Sequence, residues 1–536
     1  MSGGSKMDIN EVFRGGGRSV EWLDEINKAS IVMLAETGLV AKPLAQKIAQ
    51  GIAHIIAEEK KTPPTRSADY LDYEPRLLKV AGPDASRLHT GRSRQDIASA
   101  ISRMNLRDGL LQEIDALVGC RDKLLALADK HVETIIPAYT HGVQAQPTTL
   151  AHYLLAFGSA LARQTERLQQ AYRRINQNPL GAAALATSSF KLDRARTAAL
   201  LGFDGVIENA YDANHLAPVD CFLEVVGALA IAAVQLGMFA QDLHSQYAEP
   251  QPWMMLATGE LTGVSSIMPQ KRNPAALEQL HAQASIMLGE MQGVFLLAHN
   301  SRSGMFDYRL YDPVPPARAL TVFKLFGQVI EGLVVNKERA LAEVNADYST
   351  TTEIADALLQ RADVPFRIGH HFASLLTDFG RSRGLTLQQI AYADANRIYE
   401  TENKQPLPLD EAAFREVTSA EYMVFGRQGV GGPQPAEVRR MLGDERAKAA
   451  AHRQWPNFIA HEGGREGGRH GWFYALFAAF ARNLHLGALA CFNTSVLLLP
   501  AGLLMWFGWY DGWQNSFNKG YENYSVGITI SFIGIA

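Results

Sequence analysis

Cysteine is scarce in this chain: Cys120, Cys221 and Cys491 are the only three in 536 residues, and they stand far apart. Their spacing matches no metal-ligand set, and so few thiols exclude a disulfide framework and suit a reducing compartment. Net charge is nearly absent too, −4 from 51 basic and 55 acidic side chains. That balance removes the electrostatic basis for a nucleic-acid partner. The opening stretch MSGGSKMDINEVFRGGGRS lacks the apolar core of a secretory signal. Alternating strand patterns are rare, no internal repeat is evident, and no motif implies a metal, a nucleotide or an organic cofactor.

What is present divides unevenly. At 20% charged and 47% hydrophobic, the average composition is that of a soluble protein too long for a single core. The average hides a break after the Gly-rich stretch Gly463–Gly471. Leu486 to Tyr510 carries no charge over 25 residues, whereas about 20 apolar residues suffice for a helix to cross a bilayer. Trp506, Trp509, Tyr510 and Trp513 cluster at one end, as an interfacial belt would. The reading is a C-terminal transmembrane segment over 486–510. Arg465, Arg469 and Arg482 before it, against Lys519 alone after it, orient the preceding domain to the cytoplasm. The chain stops inside a second apolar run beginning near Val526, which either docks on the first or leads into a longer membrane protein.

Before the break, helical periodicity dominates. Phe222, Val226, Leu229, Ala233 and Leu236 recur at steps of four and three, an apolar stripe on one long helix from Pro218 to Tyr247. Further long helices are expected over 98–131, 148–176, 274–300 and 316–343. The fold class is therefore all-α, built on a central bundle of long helices. The domains expected are a helical N-terminal one (1–95), the bundle (96–345), a helical C-terminal one (346–455), a Gly-rich linker and amphipathic segment (456–484) and the hydrophobic tail (485–536).

One loop holds the densest chemistry. Thr262 to Gln279, TGVSSIMPQKRNPAALEQ, has paired serines, a lysine, an asparagine and two prolines, followed by a helix carrying Glu278. Small residues let such a loop close over an anion, with Lys271 neutralising a carboxylate and Asn273 donating hydrogen bonds. A plain surface loop with a helix start is the bland alternative.

SSIMPQKRNP closely resembles the loop shared by argininosuccinate lyase, fumarase, aspartase and adenylosuccinate lyase. LHTGRSRQD (Leu88–Asp96) and YTHGVQAQP (Tyr139–Pro147) are similar to stretches of the argininosuccinate lyase branch, in the same order. NPLGAAALA (Asn178–Ala186), NAYDA (Asn209–Ala213) and GGPQPAEVRR (Gly431–Arg440) add weaker support.

The resemblance implies a fumarase/aspartase-type helical fold, a homotetramer with active sites shared among subunits, and a dicarboxylate substrate. It implies anti elimination of an amine from an N-succinyl amino compound, releasing fumarate, without a cofactor or a metal. Ser265 matches the catalytic base and His141 the general acid, with Glu278 pairing to it. Lys271 and Asn273 would hold the carboxylate that gathers charge. Ser30, Thr90, Arg92, Ser93, Arg94, Gln95, Thr140, Gln146, Ser266 and Arg309 fall at substrate-binding positions.

The departures concentrate where the amine half would be recognised. Val264 precedes the serine pair where the family has Gly. Gln95 replaces Asn, Gln144 replaces Arg, and Tyr70 stands in place of His. SGMFDYRLYDP (Ser303–Pro313) lacks the expected binding pattern, with Arg309 and Asp312 at the family's Gln and Lys positions. Two alternatives follow: a lyase acting on a different N-succinyl amine, or adding an amine to fumarate, and a non-catalytic, membrane-tethered tetrameric scaffold.

Overall fold

A computed structural model of the chain describes residues 18–61, 66–305 and 314–463. The predicted span 486–510, Arg309 and Asp312 lie outside the described residues. Two compact units emerge, one from residues 20–93 with 188–203 and the other from residues 94–187 with 204–459.

The first unit holds α1 (Ser19–Glu36), α2 (Lys42–Lys61), α3 (Tyr70–Ala81) and the short α6 (Arg194–Leu200). Asp69 caps α3 by accepting from the Leu71 amide, which satisfies one of the unpaired first-turn N–H groups. Gly51 on α2 sits so close to Ala81 and Leu77 that a Cβ there would lie 2.9 Å from Ala81, so glycine sets the spacing of α2 and α3.

The second unit is built on α4 (Arg94–Asp129), α5 (Leu150–Ile175), α8 (Ala217–Ser245), α9 (Ala275–Ala298) and α10 (Val314–Glu331), with the short α7 (Ala210–His215) leading into α8. Phe222, Val226, Leu229, Ala233 and Leu236 are all buried on α8 in one continuous core, as the stripe predicts. Residues 217–248 are also long and apolar enough to cross a membrane, but this is the helix whose stripe fills the bundle.

α4 is buried on several faces, and its charged residues are used internally. Arg103 donates to the carbonyls of Arg174 and Ile175 at the end of α5 and to that of Ala217 at the start of α8. It thereby satisfies groups left over at the end of α5. Arg121, fully buried, pairs with Glu445 at 2.5 Å, fixing α17 (Pro435–Gly463) to the bundle.

The continuous helix expected over 316–343 is broken. α10 stops at Glu331, and β10 (Leu333–Val335) pairs antiparallel with β7 (Met254–Leu256) before α11 (Lys337–Ala346) begins. A Cβ on Gly332 would collide with the Leu261 side chain, and Asn336 caps α11 by accepting from the Arg339 amide. Glycine, a β-branched pair and a capping asparagine together end one helix and start the next. Beyond this come α12 (Thr351–Ala362), α13 (Phe366–Arg383), α14 (Tyr392–Asn403), α15 (Glu411–Val417) and α16 (Ala420–Phe425). α12 to α15 enclose a separate small core around Phe372, Leu376 and Phe414.

Candidate active site

The Thr262–Gln279 stretch forms a small hairpin and a helix start. β8 (Gly263–Val264) pairs antiparallel with β9 (Arg272–Asn273), Gly263 facing Asn273. Ser265, Ser266 and Lys271 therefore lie on the loop between two short strands, and Glu278 follows in the first turn of α9. The Ser265 hydroxyl oxygen accepts a hydrogen bond from the Met268 amide at 3.1 Å. A donor aimed at that oxygen favours its deprotonated form, which a serine base needs. Lys271 is exposed and Asn273 half-buried. Val264 and Ile267 are 76% and 82% exposed.

His141 lies on a second hairpin, where β2 (Tyr139–Thr140) pairs with β3 (Val143–Gln144). The two-residue turn is His141-Gly142, with φ of 54° and 75°. Both residues are left-handed, as a type I′ turn requires, and the imidazole is presented at the tip. Thr140, His141 and Gln146 are exposed. Gln144 is held by the hairpin's neighbour: its amide donates to the Val344 carbonyl at 3.3 Å and to Ser349 Oγ at 3.2 Å. Gln144 is thereby tethered to the end of α11. Base support comes from β1 (Ile135–Ile136) pairing with β4 (Thr148–Thr149). No hydrogen bond or ion pair joins His141 to Glu278 among the described residues of one chain.

The third motif begins in the first unit. Arg92 Nη1 donates to Asn27 Oδ1 at 2.9 Å and to Ser30 Oγ at 3.1 Å, so α1 fixes one side of the guanidinium. The other edge, Nε and Nη2, is buried with no hydrogen-bond partner among the described residues. Those two N–H groups are the fork that grips a carboxylate in bidentate fashion. Tyr70 packs beneath the guanidinium at 4.8 Å and stacks on His89 with ring centroids 4.4 Å apart. Burial first, then the Arg92 charge, push the His89 pKa down to about 4, so this imidazole is neutral near pH 7. Thr90 Oγ1 donates to the Arg87 carbonyl at 2.7 Å, and Ser93 is half-buried.

Across the boundary at Arg94 the second unit starts, with Arg94 exposed at the head of α4. Gln95 Nε2 donates to the Asn214 carbonyl at 3.2 Å, and buried Asp96 accepts from the Gly181 amide at 3.2 Å. Asn27 is a functional candidate that the motifs miss. Its signal is its place on α1, one turn before Ser30, on the face that meets Arg92.

Comparison with known proteins assigns the chain. Residues 28–289 match the lyase family, and residues 348–424 match the argininosuccinate lyase C-terminal family. The argininosuccinate lyase of Methanocaldococcus jannaschii is 33% identical over 424 residues, covering 77% of this chain and 85% of that protein.

This chain belongs to the argininosuccinate lyase family.

The argininosuccinate lyase of Halobacterium salinarum is 34% identical over 83% of this chain and 90% of its own length. Among solved structures, an EDDS lyase in complex with formate has a TM-score of 0.77 at 26% identity, covering 90% of this chain and 97% of the other. A 3-carboxy-cis,cis-muconate lactonizing enzyme from Pseudomonas putida, at 18% identity and TM-score 0.63, shares the fold. The chain is thus a mostly helical, fumarase/aspartase-type carbon–nitrogen lyase that releases fumarate.

Proposed function

We propose that the chain splits argininosuccinate into arginine and fumarate, with Ser265 as the base that removes the proton from the carbon beside the carboxylate. The observation that carries this reading is the Met268 amide donating to Ser265 Oγ, on the loop that also bears Lys271 and Asn273. As the proton leaves, charge moves onto the substrate carboxylate, where Lys271 and Asn273 stabilise it. His141 then protonates the departing nitrogen, with Glu278 orienting it and raising its basicity. Arg92, held by Asn27 and Ser30, takes a substrate carboxylate on its unpartnered edge. Thr90, Ser93, Arg94, Gln95, Thr140, Gln146, Ser266 and Arg309 complete the substrate contacts.

His141, Ser265 and Arg92 sit on three separate motif stretches, which fits a homotetramer in which each active site draws one stretch from each of three subunits. Arginine biosynthesis on the cytoplasmic side, with residues 486–510 anchoring the assembly to the inner face of a membrane, completes the reading. The domain scheme 1–95, 96–345 and 346–455 followed by linker and tail is retained as its framework.

A second reading keeps the fumarate half and changes the amine. It draws on Gln95 and Gln144 being engaged with backbone carbonyls, and on Tyr70 replacing the family's histidine. Fumarate release, followed by ultraviolet absorbance with argininosuccinate as substrate, separates the two. Prompt release that falls by about 10²–10⁴ in Ser265→Ala, the range for a lost general base, supports the first. A folded chain that leaves argininosuccinate intact but adds amines to fumarate supports the second.

A further inference from the structure

A cavity of about 590 Å3 lies outside every residue assigned to the reaction, at the C-terminal end of α4. Its volume is that of a small-molecule site. The charged residues on its walls balance: Lys130, Lys337 and Arg439 against Asp129, Glu133 and Glu421. Three of these charges are already satisfied. Arg439 pairs with Glu133 at 2.5 Å, and Asp129 with Arg446 at 2.9 Å. Lys130, Lys337 and Glu421 have no ion-pair partner among the described residues. The two ammonium groups share a neighbourhood, because Lys130 and Lys337 line the same cavity. Ile135, Leu341 and Phe425 supply an apolar wall.

We propose that this cavity binds a free α-amino acid, its carboxylate between Lys130 and Lys337, its cationic group on Glu421 and its aliphatic part against Ile135, Leu341 and Phe425. With Glu133 and Asp129 already paired, the free charges are two ammonium groups and one carboxylate, so a bare anion such as phosphate or a dicarboxylate would leave Glu421 without a partner. A zwitterion matches both signs at once. The site also has a route to the chemistry. Ile135 belongs to β1, which pairs with β4, and the hairpin bearing His141 grows between those two strands. A ligand clamped at this base restrains the hairpin, and the amino acid released by the proposed reaction is itself a member of the class bound.

Isothermal titration of the full chain with L-arginine, L-leucine, succinate and inorganic phosphate tests the proposal, reading heat and not turnover, so its outcome is independent of which substrate the enzyme cleaves. The expected result is saturable binding of at least one amino acid, weakened roughly tenfold or more, about 1.4 kcal/mol, in both Lys130→Ala/Lys337→Ala and Glu421→Gln. The same binding persists in Lys271→Ala, which perturbs the catalytic loop instead. Thermal melts confirm that each variant is folded. Absence of saturable heat from either amino acid overturns the proposal. So does equal binding in the cavity variants, which would locate the heat elsewhere, or succinate or phosphate binding as tightly as the amino acids and weakening in the same cavity variants, which would make the cavity a plain anion site.

Discussion

Buried charge in this protein is concentrated at a few side chains whose ionisation is set by their surroundings, and Asp24 is the clearest. Burial drives its carboxyl up to about 7, against the opposing pull of Arg66, whose guanidinium it shares with Glu59. The sign follows from linkage. Unfolded, Asp24 ionises near its ordinary 3.8; folded, it holds its proton until about pH 7. Its contribution to stability is therefore complete below pH 4 and is lost as pH rises towards 7. Asp24→Asn removes that dependence: urea titrations from pH 4 to 7 are expected to show the wild type losing stability relative to the variant. Curves that stay parallel across the window would show that Asp24 is ionised throughout. Little of this is legible in the sequence. Asp24 gains its environment from Arg66 and Glu59, more than thirty residues away, and Asn27 finds Arg92 across a wider gap of 65 residues. The serine loop, by contrast, is contiguous, so its residue types and their order can be read directly.

At the scale of elements, contacts made early in the chain hold its later parts. Arg121 on α4 is wholly buried and donates to both the carboxylate and the main-chain carbonyl of Glu445 on α17. Removing one member of such a pair strands the other charge, at a typical cost of about 3–5 kcal/mol. Glu445→Ala is expected to lower the denaturant midpoint by that measure. A paired Arg121→Met/Glu445→Leu chain should recover much of the loss, because packed apolar groups replace a buried ion pair at little cost. The stripe on α8 was legible because it repeats over five positions on one helix. The break at Gly332 was not, since an isolated glycine in a helical pattern shifts the balance by only about 1 kcal/mol. What ends α10 is pairing of β10 with β7, some eighty residues earlier, and local periodicity carries no trace of it.

For the whole molecule, the exposed apolar side chains of the bundle bear on assembly. On α8, Ile231, Val234 and Met238 are 44%, 47% and 59% exposed, and on α9 Leu296 is 74% exposed. Apolar surface grouped on neighbouring helices points to a protein interface, in keeping with the tetramer proposed above. Met238→Arg with Val234→Glu is expected to reduce the assembly to smaller species, read by light scattering, and to abolish fumarate release while leaving helical content intact. Full activity from a monomer would overturn shared active sites. The overall helical class and the bundle were readable from composition and periodicity. The grouping of residues 188–203 with the N-terminal helices was not, because it depends on contacts such as Arg196 with Glu36 that no local pattern encodes.

The hairpin turn at His141 has a consequence for how its role can be dissected. At this one position the shape of the backbone and the identity of the proton donor are entangled. A left-handed residue followed by a left-handed glycine tolerates asparagine, aspartate or glycine well and most other side chains poorly. An alanine there removes the imidazole and also loosens the bend that presents it, so a lost rate could report either. Asparagine keeps the bend and cannot titrate, which makes it the substitution that isolates chemistry from geometry.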